Sequence, residues 1–468
     1  MIVLPHSDWA LAYFIFEWVL RIAFVIVVLP KRQPAAARIW LLFGFLAPVP
    51  AAVAYALFGR MRNPRRRQQR EERAARAQEE WIALHADPNA PATPLARFVD
   101  EIGGYPPVAG NQIEVMPEYD RAVDAIIEAI ENAEKRVFLM TYIFGTGPVG
   151  ERIIAALARA VDRGVECHVM FDALGSRPWR KRVLEALRIA NVPARAANQY
   201  NPFRGGTGRL DRRNHRKIYV VDDRIAFTGS QNLIARDFRP GIVNFELLLK
   251  IEGPLAADLA AQFVIDWRCD GGEPLRWPDA RRPLQGDVSA QVLASGPELE
   301  AEAYPLLLSR VIQEADKSLL IVSPYTVLDE GLRLALVTAA MRGVDVTLLV
   351  SAVVDHPLVR LAQEASYGTY LASGITIRLF EPGLLHAKYV IADDSRAIIG
   401  TSNADIRSFQ INSEVSLVSE DPDLLDKLRV VASDHLSQSK SLSSEEWHNR
   451  PTRRRIAQKL AALASPLL

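Results

Sequence analysis

The feature that most restricts the fold of this chain is an internal repeat shared by its two halves. Arg136-Val-Phe-Leu-Met-Thr-Tyr-Ile143 reads as a strand, Gly150 to Arg163 as a helix, and Val165 to Phe171 as a second strand. The same order returns in Lys317 to Val322, a helix pattern ending at Arg342, and Val344 to Val350. Arg-Gly-Val closes the helix and opens the strand in both copies, with glycine where a helix C-terminus favours a left-handed residue. Further along, His215, Lys217, Asp222, Gly229 and Asn232 are matched by His386, Lys388, Asp393, Gly400 and Asn403. The spacing His-x-Lys-x4-Asp-x6-Gly-x2-Asn is identical in the two copies. A period this long excludes a solenoid. Alternating helix and strand signals predict an α/β fold of two pseudo-symmetric lobes, with a site at the seam.

A lone His-x-Lys carries no information, but two complete copies at equivalent places in a repeat do. His215 to Val221 alternates as a strand, so a period of two sets His215 and Lys217 on one face. His386 and Lys388 follow the same rule. Asp222 and Asp393 complete the catalytic motif, yet they fall on the opposite parity, each beside a second aspartate at a turn signal. Spacing alone therefore makes them turn or supporting groups. Ser230 and Asn232, and Ser402 and Asn403, follow glycine-marked turns, where backbone and amide donors can meet a phosphate. The lysines offer positive charge to a phosphodiester and to the charge that grows in its transition state. The histidines titrate near neutrality, so one can attack while the other carries a proton. This chemistry calls for no cofactor, and a cationic lysine beside each histidine disfavours a metal.

The apolar residues, 49% of the chain, are unevenly spread. Leu11 to Leu29 and Ile39 to Phe58 are two runs, each long enough as a helix to cross a bilayer core of about 30 Å. Glu17 and Arg21 lie four apart in the first run and can neutralise each other, while Pro48 and Pro50 predict a kink in the second. The first run has no basic leader and no small-residue cleavage pattern, which argues against a signal peptide. Arg60, Arg62, Arg65, Arg66, Arg67 and Arg70 follow the second run and place the body in the cytoplasm; Lys31, Arg32 and Arg38 argue the other way. The expected organisation is a hairpin over 1–60 (about 9–29 and 39–58), a basic helical linker over 61–95, lobes over 96–285 and 286–440, and an amphipathic tail over 441–468. The formal net charge of +1 points to no partner, and Cys167 and Cys269 are too few for a disulfide framework.

The paired motifs resemble those of the phospholipase D superfamily. Arg213-Asn-His-Arg-Lys-Ile218, Leu384-Leu-His-Ala-Lys388 and Gly400-Thr-Ser-Asn-Ala-Asp-Ile-Arg-Ser408, running to Asn412-Ser-Glu414, are similar to bacterial cardiolipin synthases. So are the start ending in Leu57-Phe-Gly-Arg60 and the tail ending in Ser465-Pro-Leu-Leu468. The resemblance implies a phosphohistidine intermediate and transfer of a phosphatidyl group between two phosphatidylglycerol molecules. It implies His215 as nucleophile and His386 as acid and base, with Glu246 and Glu414 orienting the histidines. Glu246 lies three residues further from its asparagine than Glu414 does, so Arg239-Pro-Gly241 marks a small insertion. The implied setting is a bacterial inner membrane, multi-pass, among anionic lipids. A lipid-hydrolysing phospholipase D would share every catalytic residue and differ only in product. A nuclease of the superfamily needs neither hairpin nor lipid-facing tail, so nucleic acid is not an expected partner. A scaffold with decayed motifs conflicts with two complete ones. Oligomeric state is not legible.

Overall fold

The structure is a computed structural model that describes residues 8–31, 34–58, 65–85, 93–199, 212–279, 285–297, 299 and 302–464. Arg32, Arg60, Arg62, most of the Pro88–Pro94 break and Ser465 to Leu468 lie outside the described residues.

Among the described residues, fifteen strands form one continuous sheet. From its centre outward, the first half runs Val108–Met116, Leu248–Glu252, Ile225–Gly229, Ile218–Val221, Arg136–Thr141, Glu166–Asp172 and Ala194–Ala197. The second half runs Val288–Ser295, Glu414–Ser419, Arg396–Gly400, Tyr389–Ala392, Ser318–Val322, Asp345–Ser351 and Thr376–Phe380, with Ser439–Ser441 added at the outer edge. The repeat is therefore a repeat of strand order. In both halves, setting aside the antiparallel edge strand Ser439–Ser441, the outer three strands are parallel and joined through helices, and the inner ones are antiparallel. The halves meet where Val108–Met116 pairs antiparallel with Val288–Ser295, across an irregularity between Val108 and Asn111.

The Arg-Gly-Val signature has a physical basis in each copy. Gly164 and Gly343 take φ of 87° and 94°. Val165 N–H then returns to Ala160 O and Gly164 N–H to Val161 O, the two bonds of a Schellman motif; Val344 to Ala339 and Gly343 to Ala340 repeat it. The arginine has its own task. Arg163 donates to the carbonyls of Ile130 and Ala133, and Arg342 to those of Ile312, Gln313 and Ala315, so each satisfies the end of the preceding helix.

Near the N-terminus, helix Asp8–Val28 has a mean hydropathy of 2.2 over its most apolar window, and it alone among the described residues is long and apolar enough to cross a membrane. Glu17 and Arg21 pair at 2.9 Å, and Arg21 Nε also donates to Phe45 O. The second expected span is not one helix. It divides into Pro34–Leu46 and Pro48–Phe58. The prolines at 48 and 50 have no N–H to donate, though Ala47 to Phe43 and Ala51 to Ala47 hydrogen bonds carry the chain through the kink.

Helix Leu255–Cys269 is buried from Leu255 through Trp267, packed between the sheet and the helix Arg65–His85. Asp258, Gln262 and Asp266 recur every four residues and form a polar stripe inside this apolar helix. Asp258 accepts from Trp81 Nε1 at 3.2 Å; Gln262 accepts from Tyr105 and donates to Asp266 at 3.0 Å. Asp266 in turn takes Arg216 at 2.7 Å, with both side chains buried. Asp266→Ala leaves the Arg216 charge without this partner and is expected to destabilise the protein by about 3–5 kcal/mol, whereas Asp266→Leu combined with Arg216→Met costs much less. Thermal unfolding of the full chain in detergent measures both.

Candidate active site

Each motif histidine enters along a segment zipped to the opposite lobe. His215 N–H donates to Ser413 O and Ser413 N–H to Arg213 O, each at 2.9 Å. On the other side, Leu384–Leu385 runs parallel to Asn244–Phe245, and His386 N–H donates to Phe245 O at 2.7 Å. Behind them, Asp172 accepts Asn214 N–H at 3.0 Å and Ser351 Oγ accepts Leu385 N–H at 3.1 Å, so the residue just before each histidine is pinned in the same way.

The carboxylates cross the seam. His215 of the first lobe lies with Nδ1 2.9 Å from Glu414 Oε2, and Glu414 opens a strand of the second lobe. His386 of the second lobe lies with Nδ1 2.7 and 2.9 Å from the two oxygens of Glu246, which belongs to the first. Glu414 is further held by Thr401 Oγ1 at 2.6 Å and Ser408 Oγ at 2.8 Å; Glu246 receives Asn244 Nδ2 at 3.3 Å. A carboxylate at Nδ1 fixes that nitrogen as the N–H, which leaves Nε2 as the free, basic nitrogen of each ring. Lys217 Nζ donates to His215 O at 2.7 Å, and Lys388 does the same to His386 O.

Burial sets the charges. It pulls His215 below its ordinary value and His386 down to about 4, against the attraction of Glu414 and Glu246. The same burial would raise Glu246, but His386 and Lys388 outweigh it and hold that carboxyl at about 2. Lys217 is drawn to about 7 and Lys388 to about 8, again chiefly by desolvation. At neutral pH the site thus holds two ionised carboxylates, two neutral imidazoles and two lysines near their own titration.

The structure brings His215, Lys217, Glu414, His386, Lys388 and Glu246 together, with neither glutamate displaced by the uneven spacing. The insertion is a turn in which Gly241 takes φ of 75° and Arg239 bridges Ile242, while the Arg239 side chain pairs with Asp355 of the second lobe. Asn232 Oδ1 accepts Ile143 N–H at 3.0 Å, and Asn403 N–H donates to Ser408 Oγ at 3.2 Å, so both asparagines brace the floor of the site. Ser230 Oγ accepts Leu247 N–H at 2.8 Å and also bonds Glu246. Its counterpart is Thr401, not Ser402; Ser402 Oγ faces Ser416 Oγ at 3.4 Å. Asp222 and Asp393, grouped with the catalytic residues, are not among the groups around the histidines. Asp222 accepts the backbone N–H groups of Glu134, Lys135 and Arg136, and Asp393 those of Asp316, Lys317 and Ser318. Both stand at φ near 53° in tight turns with the aspartate that follows.

Several contributors escaped the sequence reading. Thr401 occupies the same repeat position as Ser230, so the repeat itself carried that signal. Ser408 serves Glu414 from a short helix, Ile406–Gln410, that follows Asn403, where the first copy has its insertion. Arg216 supports the site from behind by donating to Glu414 O at 2.8 Å, where the second copy has Ala387. Tyr142 sets its ring edge-on to His215, centroids 4.8 Å apart, and by strand register its counterpart is Pro324, so the repeat argues against it.

Asp393→Ala removes an acceptor of three backbone N–H groups and is expected to cost about 1–3 kcal/mol of stability with turnover per folded molecule unchanged. Unfolding midpoints and active-site-normalised rates separate the two effects. A pH dependence also follows. His386 and His435 are each pulled by burial to about 4, so they stay neutral in the fold while the unfolded chain protonates near about 6.5. The unfolded state binds more protons below that pH, so this stability is present above about 6.5 and is lost as pH falls towards 4. The unfolding midpoint should drop through that window, and His435→Gln should make the drop shallower.

Comparison with known proteins places this geometry. Residues 126–267 and 308–435 match the family described as cardiolipin synthase, PLD-like domain. Cardiolipin synthase A of Pectobacterium carotovorum subsp. carotovorum (strain PC1) is 33% identical over 470 residues, covering 96% of this chain and 97% of that protein. Cardiolipin synthase A of Proteus mirabilis (strain HI4320) is 32% identical over 476 residues, covering 97% and 98%. Among solved structures, phosphatidylserine synthase from Haemophilus influenzae Rd KW20 superposes with a TM-score of 0.61 at 16% identity, over 80% of this chain and all of that one, which is agreement in fold. With both halves of the repeat matched and near full-length relatives above 30% identity, the chain belongs to the cardiolipin synthase family of phospholipase-D-like proteins.

Proposed function

We propose that this chain is a cardiolipin synthase that joins two phosphatidylglycerol molecules through a phosphohistidine. His215 Nε2 attacks phosphorus of the first lipid, and the bond from phosphorus to the glycerol oxygen breaks. His386, protonated once the anionic lipid is bound, gives its proton to the departing glycerol. Now neutral, His386 takes the proton of the terminal hydroxyl on a second phosphatidylglycerol. That oxygen attacks phosphorus, the phosphorus–nitrogen bond breaks, and cardiolipin leaves with His215 restored.

The observation that carries this reading is the crossed pairing of each histidine with a buried glutamate, with a lysine beside each. Glu414 stabilises charge on His215 during attack, and Glu246 does so for His386 while it holds a proton. Lys217 and Lys388, drawn towards neutrality by burial, regain full charge against a phosphodiester anion and can follow the charge of the transition state. A water-poor site at the bilayer favours the lipid alcohol over water as acceptor. Helix Asp8–Val28 supports membrane attachment, the bonding continued through Ala47 supports a kinked second crossing over residues 34–58, and the basic residues that follow in the sequence support a body on the cytoplasmic side.

Purified protein in phosphatidylglycerol vesicles is expected to release cardiolipin and free glycerol in equal amounts. Phosphatidic acid alone would make water the acceptor and the protein a hydrolase. His215→Asn should abolish phosphohistidine labelling, and retained turnover in that variant would overturn the mechanism. Glu414→Gln should lower kcat by on the order of 10²–10⁴-fold, although the substitution lies in the other lobe from His215.

A further inference from the structure

The tail helix Thr452–Ala464 is amphipathic in the reverse of the usual sense. The face it turns to the body is polar and small. Gln458 is buried and donates to Glu364 at 2.8 Å, Arg454 reaches both oxygens of Glu364 at 2.6 and 3.1 Å, and Ala461 packs with Val327 and Ala362. The face it turns outward carries Ile456, Leu460 and Leu463, which are 56%, 63% and 71% exposed. Their spacing of four and three residues makes one stripe along the helix. Arg453, Lys459 and Arg455 are exposed, and helical geometry sets Arg453 on one flank of the stripe and the other two on the opposite flank. A helix that merely docks buries its apolar side. Here the docking contacts are ionic and polar apart from the small Ala461, and the larger apolar side chains face outward.

The helix is also well placed. It packs along Pro357–Glu364. Asp355, two residues before that helix, takes Tyr325 of its own lobe and Arg239 of the other. Thr326–Val327, directly after Tyr325, pairs with Ala404–Asp405, directly after Asn403. One short helix therefore connects the tail to the edge of the site.

We propose that the outer face of the tail helix lies in an anionic lipid surface, with Ile456, Leu460 and Leu463 below the headgroups and Arg453, Arg455 and Lys459 level with the phosphates. This contact is separate from the N-terminal span and seats the mouth of the site against the bilayer. Cations on both flanks complement an anionic lipid layer and repel a second copy of the same helix. The inference extends the proposed reaction, because a substrate whose acyl chains stay in the membrane can reach the histidines only if the mouth of their site is held there.

The test uses the full chain carrying Cys269→Ser and Leu460→Cys, with an environment-sensitive fluorophore on the introduced thiol; Cys167 is buried. In phosphatidylglycerol vesicles the emission should shift to the blue and be quenched by lipids brominated in their acyl chains. Changing Arg453, Arg455 and Lys459 together to Gln should weaken that quenching severalfold, and phosphatidylcholine vesicles should weaken it likewise. Water-like emission without quenching in phosphatidylglycerol vesicles would overturn the proposal. So would ready disulfide formation between two copies of the unlabelled Leu460→Cys protein, which would put a second chain on this face. Cardiolipin is measured on the same vesicles: quenching without product keeps the docking and rejects the reaction, and product without quenching does the reverse.

Discussion

The site rests on an exchange across the seam, in which each lobe supplies the carboxylate for the other lobe's histidine. Glu414 holds His215 and Glu246 holds His386, and the backbone around each histidine is bonded to the segment that carries the opposite glutamate. Neither lobe contains an oriented histidine by itself. The continuous sheet through Val108–Met116 and Val288–Ser295 keeps the halves in the register this exchange needs. Fold and site are thus one cooperative object, and strain at the seam reaches both histidines together.

Burial makes the exchange matter. In water a histidine–carboxylate contact is weak, but inside the seam the carboxylates stay ionised only because imidazole and ammonium groups face them. The cationic partners are drawn the other way, towards neutrality. Burial therefore lowers the positive charge of the site relative to its residue content, and an anion restores it. Phosphodiester chemistry suits such a site, since a phosphodiester anion favours the charged form of a lysine facing it.

Pseudo-symmetry has limits, and the departures cluster at the site. Arg216 ties the first motif to Asp266 and to the backbone of Glu414, where the second motif has Ala387. Tyr142 faces His215 where Pro324 stands in the other copy. The Arg239 turn reaches Asp355, while Ile406–Gln410 fills the corresponding place in the second lobe. In the proposed reaction, two identical half-sites would treat two bound lipids alike, yet one is attacked and the other attacks. Differences of this kind are where the two roles can separate.

The repeat, the two motifs, the Arg-Gly-Val helix ends and the parity of Asp222 and Asp393 were all legible in the order of residues. Each depends on local geometry: a period of two along a strand, a glycine at a left-handed position, an aspartate in a tight turn. The crossing of the glutamates was not legible, because spacing from Asn232 to Glu246 and from Asn403 to Glu414 is compatible with either lobe as partner. The inverted tail helix was likewise decided by what it packs against, whereas Pro48 and Pro50 already marked the division of the second apolar run. Sequence alone determined the repeat and the turns that close its helices and strands, since those are properties of a few neighbouring backbone dihedrals. The tertiary structure alone decided which carboxylate meets which histidine, because that depends on how two distant halves close against each other.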